Sequence, residues 1–227
     1  MAIRPFYMST NNKNSFVKSE EIEFQWFSGF SVQQKQKSIQ SLHTEISKKY
    51  KISTDKILEV SSKSENILGV QLSAFNLGYI LDNGGKLSVE CMFQASKVFE
   101  HGGPYSEILK MSSLEAKKYP KLKTSGKLLY FLRKNEKWEL EPKTAFYDWI
   151  YLNTLKYNTS LIQELIKYEV FTDIEFNPKK SINCQASSVA LFVSLYKENL
   201  LDDVLQNKDT FIDFLYSQNV RDSSRLF

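Results

Sequence analysis

The stretch "ASSVALFVSLYKEN" at residues 186–199 sets the strongest limit on what this chain can fold into. Val189, Phe192, Val193 and Tyr196 recur at helical spacing, and the segment reads as a buried helix. A helix of that kind needs other elements around it. The rest of the chain offers them. "EIEFQWF" (21–27) alternates Ile22, Phe24 and Trp26 with polar residues, the period of a strand. "SVQQKQKSIQSLHTEISKKY" (31–50) follows as a helix with Val32, Ile39, Leu42 and Ile46 inward. Leu58 and Val60 start a further strand. "SSLEAKKYP" (112–120) is a short Ser-capped helix that stops before Pro120. Residues 143–168 form a long helical pattern broken near Tyr157–Asn158, and "DDVLQNKDTFIDFLYS" closes with an amphipathic helix.

Other segments are less patterned. Residues 1–20 are polar, 68–81 alternate only in part, and 126–142 fit a strand or a helix. "DNGGK" (82–86) is a hairpin-type turn, 171–185 a loop, and "RDSSRLF" a frayed end. The sum is a helix-rich α+β domain. With 227 residues, 42% of them hydrophobic, the chain can build one large domain or a domain with an extension.

Charge and cysteine content narrow the chemistry. A net charge of +4 suits a phosphate-bearing partner but is no nucleic-acid signature by itself. Cys91 and Cys184 have no metal-type spacing to each other or to His43 and His101, so no metal site is expected. Phosphate-loop, dinucleotide and zinc-protease motifs are absent, and no cofactor is expected. There is no apolar run near membrane-spanning length and no signal-peptide core in "MAIRPFYMSTNN", which reads as a cytoplasmic protein.

"SVECMFQASKVFEHGGPY" (88–105) carries the most chemistry. Ser88 suits an N-cap with Cys91 at the third helical position, and "HGGP" suits a helix stop. Within it Glu90, Gln94 and Lys97 fall at i, i+4 and i+7, a single polar row. The ordinary reading is a solvated face. The alternative is a site wall, with Glu90 in the first helical turn as a general base or a stabiliser of a developing cation. Met92, Phe93, Val98 and Phe99 would anchor the helix behind it. Lys35 and Lys37 lie two apart on the 31–50 helix, so one can turn inward while the other is solvated. An inward lysine that loses hydration could form an imine with a sugar aldehyde. Trp138 fits a core position or a stacking platform for a base. Asp173 and Glu175 flank Ile174 and are expected on one side of a short strand. Asn183 and Gln185 would cap the next helix or hold a ligand.

Taken together, these segments resemble the NADAR family, YbiA-like N-glycosidases acting on ADP-ribose-related compounds. Glu90, Phe93, Gln94, Ala95, Lys97 and Phe99 match the family's E-H-Y-F-Q-A-x-K-F helix, with Cys91 and Met92 in place of its His and Tyr. Ser113, Glu115, Ala116 and Lys117 match its S-P-x-E-A-K segment. Leu155 and Lys156 fall in its A-L-x-x-K-F region, and Glu175 and Asn183 in its closing segment. The likeness spans residues 68–200. "RPFY", the 24–43 segment, "EPKTAFYDW" and "FTDIEFNPKKSINCQ" are similar to the NADAR antitoxins found beside DarT-type toxins, which attach ADP-ribose to guanine in DNA.

The resemblance implies a single NADAR-like domain, with residues 1–65 as an N-terminal extension and 66–220 as the catalytic part. It implies a hydrolase that removes ADP-ribose from guanine in DNA, with RNA or a free nucleoside as other carriers, and a cognate DarT-type toxin as a partner. Catalysis would use Lys35 or Lys37, Lys35 preferred, together with Glu90. Gln94, Lys97, Trp138, Asp173, Glu175 and Asn183 would bind substrate. Two other functions fit the same residues: an N-glycosidase on small ribosyl-amine metabolites, and a non-catalytic toxin- or nucleic-acid-binding module.

Overall fold

The computed structural model describes residues 1–12, 15–82 and 84–223, with side chains described as far as residue 218. The fold is α+β. Packing divides it into two units, Met1–Ser73 with Thr159–Phe227, and Ala74–Asn158.

In the first unit β1 (Ala2–Ser9) and β2 (Val17–Phe24) form an antiparallel pair. A distant segment, β9 (Val170–Thr172), adds to β1 antiparallel through Tyr7 and Met8. It also pairs in parallel with β3 (Ile57–Glu59), giving the order β2-β1-β9-β3. The helix α1 (Val32–Tyr50) buries Ile39, Leu42 and Ile46 against Phe6, Ile22, Phe24 and Val170. Val32 is exposed, because it sits in the first turn of α1, before the helix reaches the sheet. The apolar helix that opened the sequence argument is α8 (Gln185–Lys197). It packs on β1, β2 and β9 with Val189, Phe192 and Val193 fully buried and Tyr196 half-buried. A short helix, α2 (Ile67–Gln71), lies close to the β3 backbone: a Cβ on Gly69 would sit 2.0 Å from the Glu59 carbonyl oxygen. The unit also holds α7 (Thr159–Leu165) and closes with α9 (Leu201–Val204) and α10 (Lys208–Ser223), two helices where one was expected.

The second unit begins with the hairpin of β4 (Gly78–Ile80) and β5 (Lys86–Ser88). Asn83 of the expected turn lies outside the described residues, as do residues 224–227 of the expected frayed end. Then follow α3 (Val89–Ala95), β6 (Lys97–Phe99), α4 (Ser113–Lys118) and α5 (Lys121–Thr124). Ser112 caps α4 in a full capping box with Glu115. Residues 126–142 prove to be a hairpin, β7 (Leu128–Arg133) and β8 (Glu136–Trp138), paired onto β6. Its two-residue turn, Lys134 and Asn135, has φ of 49° and 62°, the left-handed pair whose twist suits adjoining strands. The helix α6 (Ala145–Tyr157) ends at Asn158, the expected break; Asn158 donates to the carbonyls of Thr154 and Gly78.

The packing does not divide the chain at residue 65. β1, β2, α1 and β3 share one sheet and one core with β9, more than a hundred residues downstream. β1 was unreadable because Pro5 interrupts its pattern. Pro5 is tolerated since β9 pairs only with Tyr7 and Met8.

Candidate active site

In the second unit Ser88 caps α3, its hydroxyl accepting from Cys91 N at 3.1 Å, as its spacing predicted. The polar row is not solvated: Glu90 is 9% and Gln94 8% exposed. Gln94 Nε2 donates to Glu90 Oε1 at 2.9 Å. Gln94 Oε1 is buried with no hydrogen-bond partner among the described residues, a costly state that a donor from outside would relieve.

Lys97 joins this pair differently from expectation. The helix stops at Ala95, and Ser96 folds its hydroxyl back onto the Met92 carbonyl at 2.8 Å. Lys97 therefore starts β6, opposite Phe131, and "HGGP" closes a turn after that strand. The β-branched and aromatic Val98 and Phe99 draw the chain into the sheet before the glycines are reached. Lys97 is half-buried, its Nζ 4.7 Å from the centre of the Phe93 ring. Burial pushes its ammonium down from the usual lysine range, and the Glu90 charge partly opposes this.

Trp138 is 1% exposed and packs on Phe146 and Trp149, with Nε1 donating to Glu136 Oε2 at 3.0 Å. It is a core ring, and Trp149 beside it is the more accessible face.

The first unit holds a second cluster. Lys35 and Lys37 part as the helix geometry requires. Lys37 is exposed, whereas the Lys35 side chain is 18% exposed. Lys35 Nζ lies 3.2 Å from Glu175 Oε1 and 4.7 Å from the centre of the Trp26 ring. Asp173 and Glu175 do not share a strand face. The strand β9 ends at Thr172, and Asp173 Oδ1 accepts from the backbone N–H groups of Glu175 and Phe176, folding the chain into a turn. The turn buries Asp173 and leaves Glu175 exposed. Asn183 is half-buried before α8; Cys184 takes the cap position, and Gln185 Nε2 donates to the Val60 carbonyl at 2.7 Å.

Three residues of this cluster were missed. Glu59, 2% exposed, accepts from Thr172 Oγ1 at 2.6 Å and from the Ile174 N–H at 2.8 Å. His43 Nε2 lies 2.9 Å from Thr172 Oγ1. With its proton given to Glu59, the Thr172 oxygen is left to accept from His43. Two buried carboxylates thus hold the backbone of the turn that carries Glu175. Burial pushes Glu59 up, hydrogen bonds from Ser61, Thr172 and Ile174 opposing it. Asp173 is pushed well up by burial and by Glu59. One signal was available, an acid between Leu58 and Val60 in an otherwise apolar strand.

Burial pushes His43 down to about 4. The folded state therefore disfavours protonation, and stability is lost as pH falls from about 6.5 toward 4. The raised carboxylates act with the opposite sign, losing stability as pH rises above the usual carboxylate range. A His43→Gln comparison isolates the first effect. Urea unfolding at pH 7 and pH 4.5 should show the native protein losing about 2 kcal/mol more than the variant. Equal losses would mean His43 is not held neutral.

Among the described residues no three His, Cys, Asp or Glu side chains gather as a metal site. The first unit offers an amine beside a carboxylate, and the second a buried carboxylate–amide pair. The family model of DarT1-associated NADAR antitoxins matches residues 2–225.

The chain belongs to that family.

No curated protein matches it. In this NADAR chain the match takes in the first 65 residues as well as the Glu90 segment. No helix among the described residues is long and apolar enough to cross a membrane.

Proposed function

We propose that this NADAR antitoxin is a hydrolase that removes ADP-ribose from guanine bases in DNA, reversing the modification made by a DarT1-type toxin. The reading rests on one observation above all. Lys35, the lysine drawn inward, has a carboxylate oxygen of Glu175 within 3.2 Å. A nucleophile, a base within reach of its proton and a third group that orients the base make up the usual arrangement for covalent catalysis. Asp173 is the orienting group, through the Glu175 N–H at 3.0 Å.

The chemistry follows from the bond to be cut. The ribose anomeric carbon bears a ring oxygen and the exocyclic nitrogen of guanine, so ring opening gives an iminium. The Lys35 amine adds to that carbon and its proton passes to Glu175. Guanine leaves as its free amine, with Glu90 assigned the proton it needs. The lysine imine that remains is hydrolysed by water, returning the amine and releasing ADP-ribose. Lys97 is the rival amine, since burial favours its neutral form; the carboxylate of Glu175 beside Lys35 supports assigning the role to Lys35. Asn183 and Gln94 are assigned to substrate hydroxyls and amides.

The test is incubation of the purified protein with DNA carrying ADP-ribosylated guanine, with free ADP-ribose and restored guanine read by mass spectrometry. Release of both is expected. An intact adduct after exhaustive incubation would leave a binding role in place of the enzymatic one.

A further inference from the structure

The second unit contains a cleft of about 470 Å³ whose walls include Tyr79, Met92, Arg133, Glu136, Trp149 and Asn153. Met92 is two residues from both Glu90 and Gln94, so on α3 it points away from that pair, and the cleft opens on a different face. Its volume lies in the range of small-molecule sites.

Arg133 is the last residue of β7, at the edge of the Lys134–Asn135 turn. Its Nη2 lies 2.8 Å from Met92 Sδ, a weak acceptor. Among the described residues no carboxylate pairs with it. A largely buried guanidinium offers five donors in a planar fork, and one thioether sulfur satisfies little of that. Such a group is stable when an anion arrives from outside. Trp149 is half-buried and Tyr79 stands on the same cleft, so aromatic faces adjoin the cation. Asn153 donates its Nδ2 to the Trp149 carbonyl at 2.9 Å, which leaves its Oδ1 to accept from a base edge. Glu136 also lines the cleft, with Oε2 accepting from Trp138. Its charge opposes a second phosphate.

We propose that this cleft binds one base and its single phosphate from the DNA strand, a nucleotide flanking the modified guanine. The phosphate meets the Arg133 fork and the base stacks on Trp149. The choice of DNA rests on the hydrolase reading; binding in the cleft is measured without it.

The experiment titrates the full chain with a short unmodified single-stranded deoxyoligonucleotide, with deoxyadenosine monophosphate, with deoxyadenosine and with ADP-ribose, by calorimetry and tryptophan fluorescence. The strand and the monophosphate should bind. Arg133→Gln should weaken both about tenfold or more and leave deoxyadenosine unchanged. Trp149→Leu should weaken all three, since stacking does not need the phosphate. Arg133→Lys, which keeps the charge but not the fork, should fall between, and circular dichroism melts verify each fold. The proposal is overturned if neither strand nor monophosphate binds, if Arg133→Gln binds them as the native protein does, or if only ADP-ribose binding responds to Arg133. Release of ADP-ribose from modified DNA is scored separately. A strand that binds through Arg133 with no release would sink the hydrolase reading and leave the cleft standing.

Discussion

Lys35→Ala is expected to lower ADP-ribose release on the order of 1000-fold, while Lys37→Ala retains full activity. The asymmetry follows from α1: two lysines two residues apart face different ways, and only Lys35 reaches Glu175 and Trp26. Borohydride added during turnover should reduce the imine and leave the sugar fixed on the peptide that contains Lys35. Trapping on Lys97 would transfer the nucleophile to the second unit. No adduct at all, with Lys35→Ala active, would end the imine scheme. Glu175→Gln supplies an internal comparison. It keeps the shape but not the base, so it should slow attack without removing the lysine.

Glu90→Gln should cost about 100- to 1000-fold in kcat with little change in the melting midpoint. The amide is isosteric and its oxygen still accepts from Gln94 Nε2, so the buried pair survives the exchange. What disappears is the group that can give and take a proton. One limb of the pH–rate profile should vanish with it, and Glu90→Asp should restore a fraction of the rate. Activity within about threefold of the native protein would show that proton transfer does not pass through Glu90.

The parts of this architecture that sequence could show are those whose signals are local. Ser88 and the Ser112–Glu115 box announce helix starts because a cap is satisfied within three residues. The break at Asn158 and the spacing of Ile39, Leu42 and Ile46 were readable for the same reason. Lys97 was misplaced because helix and strand compete where the 88–105 stretch turns, and the winner is chosen by Phe131 on a strand more than thirty residues away. The Glu90–Gln94 pair was in view from its spacing, but its burial was not, since the covering residues come from elsewhere. Glu59 and His43 were invisible as site residues because Thr172, which joins them, lies 113 and 129 positions downstream.

The placement of β9 also governs how this protein can be made. Its three residues fill the slot between β1 and β3. On the ribosome the N-terminal hairpin and α1 emerge long before that slot can be closed, leaving a strand edge unpaired through the synthesis of more than a hundred residues. Residues 74–158 form a unit contiguous in sequence and can close on themselves in the interval. The first unit must wait for the residue-170 region, so its assembly is a late, long-range event and the slower of the two. The turn that presents Glu175 follows directly on β9, and Lys35 gains its carboxylate only in that last step. A ribosome-arrested chain that ends before residue 170 would carry the Glu90 pair yet lack the partner of its nucleophile.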